Sequence, residues 1–231
     1  MTQEPSFDEW LRGQLVEAYG MERETWAVDQ VRRVIDKINA VRNREPQFTV
    51  EVLWLREMTA FTAPGRFIYI SRRLLERLPH DDAVAMVLAH EAAHHDLDHL
   101  ADFAGWTRRL PRKAGSWLVA RLFRVIEQRV YSQEHEFEAD RYGLRLCRQA
   151  NFDGLKCLEL FDITKQYVLD YGDVEAAYGS DAEQDVEFAE NAADWIFLKL
   201  RAEFSKLRRR THPAISDRKA ALNAQLAKEH L

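Results

Sequence analysis

The chain has 231 residues, of which 46% are hydrophobic, and it carries a formal net charge of −5. This length and apolar content can bury the core of one sizeable domain, which excludes a disordered protein. The acidic balance argues against nucleic acid as a partner. Two cysteines, Cys147 and Cys157, are too few for a disulfide framework and indicate a reducing compartment.

No segment reaches the roughly 20 uninterrupted apolar residues that cross a bilayer. The most apolar candidate, residues 114–130, is interrupted by Arg121, Arg124 and Glu127. The N-terminal residues also lack the basic and then apolar pattern of a signal peptide. The sequence therefore predicts a soluble, cytoplasmic protein with no transmembrane segment.

The N-terminal third begins with two helical patterns and continues into strands. Apolar residues recur at helical spacing over 7–18, with Ser6 as the predicted N-cap, and again over 26–41. The period then changes over 48–55, which is rich in β-branched and aromatic residues and predicts a strand, and 67–70 predicts a second one.

The remainder of the chain is predicted to be helical. Asp81 or Asp82 is the predicted cap of a helix that carries two histidines. Further helices are predicted at 116–131, 133–149, 153–170, 183–209 and 214–228, with connections at 111–115 and 172–181. The predicted fold class is α+β, a helical majority with a small sheet. Residues 1–47 are expected to form a helical segment packed on a domain of residues 48–231, as one globular unit.

His90 and His94 are the strongest chemical signal in the chain. Residues four apart project from one face of a helix, so both imidazoles can reach a single metal ion. Glu91, directly after His90, is placed to activate a water at that metal. Two hydrogen-bonded core histidines are the alternative, because buried imidazoles need partners of some kind. The adjacent carboxylate favours the metal.

A second pair with the same spacing, His95 and His99, overlaps the first. On a helical wheel this pair points about 140–180° away from His90. That side is predicted to face solvent or a polar neighbour, which argues against a metal between these two histidines.

A third protein ligand is predicted from the helix at 133–149. Glu136 and Asp140 are four residues apart, and an inward carboxylate is costly unless it meets a cation. Glu136 could ligate the metal, while Asp140 could accept the outer ring N–H of a ligating histidine. Glu134 and Glu138 fall on the opposite side and are predicted to be solvated.

Four separate segments of the chain match, in order, the motifs of one enzyme family. Residues 60–65 are similar to N-A-F-x-x-P-G, with Thr59 in place of the usual Asn. The other three match H-E-x-x-H-x-x-x-x-H-L-A at 90–101, E-[FY]-x-A-D at 136–140 and H-P-x-x-x-x-R at 212–218. With these motifs the chain resembles the M48 family of zinc metallopeptidases, as a soluble single-domain member.

The resemblance implies a gluzincin-like fold and a set of residue roles. Zinc would be held by His90, His94 and Glu136, with Glu91 as the catalytic base. His212 would contact the oxyanion of the reacting peptide, and Arg218 would hold its own segment by ion pairing. The strand at 67–70 would be a sheet edge beside the site, to which a peptide or protein substrate could add. The residues implied in substrate binding are Ala60, Phe61, Phe67, Ile68 and Tyr69.

A different class of function stays open from the sequence. The chain could instead be a latent enzyme, or a zinc-stabilised helical interaction protein without proteolysis, with the same metal ligands. The interaction protein would bind its partner through a C-terminal helical surface that includes Leu198, Phe204 and the arginines at 208–210. Zinc without turnover would indicate this alternative.

Overall fold

The computed structural model describes residues 5–23, 25–55, 58–101, 132–171 and 213–229. Within these residues, two helices precede the three strands of a small sheet, and helices follow them. The elements, in chain order, are α1 (Phe7–Tyr19), α2 (Thr25–Arg42), β1 (Thr49–Leu53), β2 (Ala60–Thr62), β3 (Phe67–Ser71), α3 (Arg72–Leu75), α4 (Asp81–Asp96), α5 (Gln133–Gln149), α6 (Gly154–Cys157), α7 (Glu159–Tyr171) and α8 (Ile215–Glu229). The predicted α+β class with a helical majority is confirmed.

The three strands form one mixed sheet in the order β1-β3-β2. β3 pairs in parallel with β1 and antiparallel with β2, with Ala60 opposite Ile70 and Thr62 opposite Ile68. The prediction that 67–70 is the sheet edge is therefore wrong, because β3 is the central strand. β2, which was not predicted as a strand, has a strand neighbour on one side only in the described part of the chain.

The sheet has a hydrophobic cluster on each face because successive strand side chains alternate. Ile68 and Ile70 belong to the main core, together with apolar residues of α2 and α4. Phe67 and Tyr69 point the other way and pack with Leu11 of α1 in a second cluster. Helix α1 therefore packs onto this face of the sheet.

α4 is buried along most of its length, including every residue from 83 to 89. It contacts α2 and the sheet, and α5, α6 and α7 also pack against it. The wheel predicted a single apolar stripe, yet other faces of α4 are covered as well. This helix is a central element of the fold, and the two histidines lie in its C-terminal half.

The caps differ from those predicted at two helices. The Nδ1 atom of His80 accepts the Ala83 N–H at 3.2 Å and caps α4. Asp81 instead binds Arg33, while Asp82 accepts the backbone N–H of Asp153. Ser6 precedes α1, but its hydroxyl bonds the Asp8 carboxylate rather than a backbone N–H.

Three later predictions can be compared with the structure. The helix predicted at 133–149 is confirmed with those bounds, and α8 begins and ends within one residue of the predicted 214–228. The helix predicted at 153–170 is instead two helices, α6 and α7, which are separated at Leu158. The elements predicted at 111–131 and 172–209 lie outside the described residues. None of the described helices combines the length and the apolar character needed to span a membrane.

Candidate metal centre

Three side chains from two helices converge at one point. The Nε2 atoms of His90 and His94 lie 3.0 Å apart. Glu136 Oε2 lies 3.7 Å from His90 Nε2, and Glu136 Oε1 lies 3.5 Å from His94 Nε2. Ligands about 2.0–2.1 Å from a tetrahedral zinc ion are roughly 3.3 Å from one another. The spacing and the two-imidazole, one-carboxylate donor set therefore fit a zinc ion.

The two histidines are both buried, but their charged neighbours differ. His94 is 1% exposed, and burial lowers its pKa to about 3, against the opposing effect of Glu136. Burial also acts to lower the pKa of His90, but the hydrogen bond and charge of Asp140, with the charge of Glu136, outweigh it and raise that pKa. A neutral His94 offers the lone pair that metal binding requires.

Asp140 and Arg218 are charged residues that contact the candidate ligands His90 and Glu136. Asp140 Oδ1 lies 3.0 Å from His90 Nδ1, so it can accept the outer ring N–H of that histidine. Arg218 from α8 donates two hydrogen bonds to the Asp140 carboxylate, at 2.7 and 2.6 Å, and lies 3.0 Å from Glu136 Oε2. Burial acts to raise the pKa of Asp140, but Arg218 and His90 outweigh it and lower that pKa.

Glu91 lies on α4 between the two histidines in sequence and is 7% exposed. Burial acts to lower the pKa of Arg218, but Asp140 and Glu136 outweigh it and raise that pKa, and the negative charge of Glu91 adds a smaller effect in the same direction. The carboxylate of Glu91 therefore acts on the same arginine as Asp140 and the candidate ligand Glu136.

The close packing of α4 and α5 brings the ligands together. A Cβ atom added at Gly143 would lie 3.0 Å from the His90 backbone nitrogen and 3.1 Å from the Ala89 carbonyl carbon. A glycine at this position therefore lets the two backbones approach each other. One turn earlier on α5, Ala139 and Asp140 are also buried.

The direction predicted for His99 is wrong, because its Nδ1 lies 3.0 Å from His94 Nδ1 instead of on the far side of the helix. Its face was predicted to meet solvent or a polar neighbour, and the 7% exposed His99 meets polar neighbours. Glu138, predicted to be solvated, keeps 42% of its side chain exposed while its Oε2 lies 3.2 Å from His99 Nε2. The helical wheel fails here because α4 ends at Asp96, before His99. The third histidine of the extended family motif was the available signal for this contact.

The residues implied in substrate binding divide between two strands. Phe67, Ile68 and Tyr69 lie on the central strand, where β1 and β2 already occupy the backbone hydrogen-bonding positions. They also have buried side chains, so the structure contradicts a direct role in pairing with substrate. Ala60 and Phe61 lie on β2, which packs against α4.

Thr59 and His212 are two further positions of the family motifs. The backbone of Thr59 pairs with Ser71, through its carbonyl to Ser71 N–H at 2.8 Å and its N–H to Ser71 Oγ at 3.1 Å. His212 lies outside the described residues. Pro213 follows it immediately and precedes α8, the helix that carries Arg218.

Two known proteins that are similar to this chain are metalloendopeptidases. The chain is 27% identical over 128 residues to "Metalloendopeptidase OMA1, mitochondrial" from Bos taurus, covering 47% of this chain and 24% of that protein. It is 31% identical over 134 residues to "Mitochondrial metalloendopeptidase OMA1" from Schizosaccharomyces pombe, covering 53% of this chain and 40% of that protein. The chain thus spans less than half the length of either relative. A family model, Peptidase family M48, matches residues 21–226, which is most of the chain. The chain belongs to peptidase family M48.

Proposed function

We propose that the chain is a zinc-dependent metalloendopeptidase that hydrolyses internal peptide bonds of peptide or protein substrates. One observation carries the proposal: His90, His94 and Glu136 offer ligand atoms that all lie within 4.8 Å of one another. Glu91 adjoins them on α4, in the residue order of a known zinc peptidase motif. Family membership and the two relatives support the same class of reaction.

The roles of the chain's own side chains follow from this geometry. His90, His94 and Glu136 would hold a zinc ion, which would supply Lewis acidity toward a peptide carbonyl and an attacking water. Glu91 accepts the proton of the attacking water and transfers it to the departing amine. Asp140 fixes the ring of His90, and Arg218 offsets the negative charge of Asp140 and Glu136.

The substrate is proposed to bind beside β2 rather than β3. An extended peptide can add to a sheet edge through main-chain hydrogen bonds, and β2 is the edge that packs against α4. The backbone of Ala60–Thr62 would then hold the peptide close to the metal ligands. The buried side chain of Phe61 would support the strand from the opposite face, where its ring stacks on Tyr69 with centroids 5.0 Å apart.

His212 is proposed as a donor to the oxyanion of the reacting carbonyl. This role rests on the family motif, in which the histidine precedes Pro213 and Arg218. A donor aimed at developing negative charge stabilises the transition state more than the bound substrate.

Substitution of Glu91 by Gln tests the function. The amide cannot take a proton from water, so cleavage of a fluorogenic peptide library should fall by about 10²–10⁴-fold. Zinc content, measured by mass spectrometry, should stay at one ion per chain because the three ligands are retained. Glu134→Gln, at an exposed position on α5, is the matched control and should keep wild-type activity.

The outcomes separate the two classes of function. Wild-type turnover by the Glu91→Gln variant would contradict the proposed mechanism. Zinc bound at one ion per chain, without cleavage of any peptide by the wild-type protein, would favour the latent or non-proteolytic alternative.

A further inference from the structure

A row of polar side chains leads from the metal ligand His94 away from the proposed zinc position. His94 Nδ1 lies 3.0 Å from His99 Nδ1, and His99 Nε2 lies 3.2 Å from Glu138 Oε2. The ring of His135 stacks on His99 with centroids 4.1 Å apart and planes 10° from parallel. The ring of His99 is thus held at both nitrogens and on one face.

The turn after α4 creates this arrangement. The helix ends at Asp96, and Asp98 takes a positive φ of 59°, so the chain leaves the helical path before His99. The His99 N–H then donates to the His94 carbonyl at 3.0 Å. This backbone bond brings the two rings together, with centroids 5.1 Å apart. A continuous helix would have carried His99 away from His94.

The positions of the ring protons follow from the hydrogen-bond chain. If His94 uses Nε2 as the metal ligand, its one remaining proton is on Nδ1 and must be donated outward. His99 Nδ1 can accept this proton only if His99 carries its own proton on Nε2. That N–H then donates to the Glu138 carboxylate. In this row His94 donates to His99 and His99 donates to Glu138, so the hydrogen bonds run in a single direction.

We propose that His99 and Glu138 are positioning residues for the metal centre, which fix the tautomer and ring orientation of His94. This inference rests on the proposed zinc site. Ligating histidines usually donate their outer N–H to a carboxylate, a carbonyl or water. His90 does so directly, through Asp140. His94 reaches its carboxylate through an intervening imidazole.

The two carboxylates are expected to differ in strength. Asp140 is 1% exposed and contacts its histidine directly, whereas the Glu138 side chain is 42% exposed and acts across His99. Solvent screens the partly exposed charge of Glu138, so Glu138 should support its histidine less than Asp140 does. Glu138 acts on His94 through His99, so removal of Glu138 should weaken zinc binding less than removal of His99. The order of effects on zinc affinity is therefore His99 first and Glu138 second.

Zinc dissociation constants of the full chain, measured by competition with a chromophoric chelator, test this proposal. His99→Leu removes the acceptor for His94 and should weaken zinc binding by about 10–100-fold. Glu138→Ala should weaken it by about 3–10-fold, and Glu138→Gln, which retains an acceptor oxygen, should stay within about 3-fold of wild type. Glu134→Gln, on the same helix but exposed, is the matched control and should bind like wild type.

The thermal midpoint of each metal-free variant separates positioning from folding. Weaker zinc binding at an unchanged midpoint supports positioning, and Glu138→Ala decides the matter if His99→Leu does not fold. Wild-type affinity in Glu138→Ala and in any folded His99→Leu protein would overturn it. A wild-type protein that binds no zinc would overturn the metal centre itself.

Nitrogen-15 NMR of the zinc-loaded wild-type protein gives an independent readout. The His99 ring should carry its proton on Nε2, and the His94 ring should carry its proton on Nδ1. A His99 proton on Nδ1 would overturn the proposed direction of the chain, even if zinc binds tightly.

Discussion

At the scale of single residues, Gly143 determines how closely α4 and α5, the helices of the proposed metal ligands, approach each other. A Cβ at this position would lie 3.0–3.2 Å from backbone atoms of Ala89 and His90. Backbone atoms in the middle of a packed helix cannot move aside as the end of a flexible side chain can. An added methyl group therefore displaces α5, which carries Glu136, relative to α4.

We expect Gly143→Ala to lower the free energy of unfolding by about 1–3 kcal/mol in urea denaturation, because overpacking outweighs the gain in helix propensity. Zinc affinity should fall as well, since the substitution separates Glu136 from the histidines. The control is Gly13→Ala on α1, where an added Cβ meets nothing within 4 Å. That variant should gain roughly 0.5–1 kcal/mol. Equal stability changes in the two variants would contradict the packing argument.

The residues of the metal centre could be predicted from sequence wherever the chain follows a regular helix. His90 with His94, and Glu136 with Asp140, are pairs at i and i+4, so one helical repeat predicts that each pair shares a face. His99 escaped the same reasoning because the turn that begins at Leu97 changes its direction. The contact between His99 and Glu138 was missed for the same reason, because His99 was predicted to point elsewhere.

At the scale of elements, a buried ion pair joins α2 to the C-terminal end of α4. Arg42 contacts Asp96 through two hydrogen bonds of 2.9 and 2.6 Å, and the two side chains are 0% and 2% exposed. Tyr142 of α5 adds a third hydrogen bond to the same carboxylate at 3.2 Å. Asp96 follows His94 by two residues, so this ion pair holds the end of α4 on which the proposed ligand His94 lies.

We expect Asp96→Ala to lower the free energy of unfolding by about 3–5 kcal/mol, because it leaves the Arg42 guanidinium buried without its partner. The double variant Arg42→Met/Asp96→Leu should recover most of this loss, since no buried charge remains. The exposed pair of Arg33 and Asp81 provides a control, and Arg33→Met should cost about 0–1 kcal/mol in the same urea titration. Similar losses for Asp96→Ala and Arg33→Met would contradict this account.

The order of the strands could not be predicted from local patterns. Strands at 48–55 and 67–70 have clear β composition, and the observed bounds of β1 and β3 lie close to them. Ala60–Thr62 has only three residues, too few to display a period. Its insertion beside β3 makes the predicted edge strand a central one. Pairing between strands depends on tertiary packing, which the period of a single segment does not encode.

At the scale of the whole molecule, the proposed zinc ion links two helices that are distant in sequence. α4 supplies two ligands and α5 the third, so an ion that binds only the folded chain stabilises the fold through linkage. The same ion offsets the negative charge that Glu136 brings into the interior.

We expect the thermal midpoint of the metal-free protein to rise on addition of zinc. At a free zinc concentration about 100 times the dissociation constant, linkage gives about 2.7 kcal/mol, or roughly 5–10 °C for a domain of this size. Differential scanning fluorimetry with and without a chelator measures the shift. The variant His90→Ala/His94→Ala should show none, and a wild-type midpoint that is independent of zinc would contradict the linkage.

The contacts of Arg218 with the proposed metal centre are expected to form late in folding. It contacts Asp140, 78 residues earlier in the chain, and lies near His90, 128 residues earlier. Contacts of such long sequence separation form late, because a large loop must close before they contribute. We therefore expect a chain emerging from the ribosome to hold its ligands on α4 and α5 before Arg218 can reach them. A newly made peptidase molecule would then acquire its complete centre only after nearly all of the described fold has been synthesised.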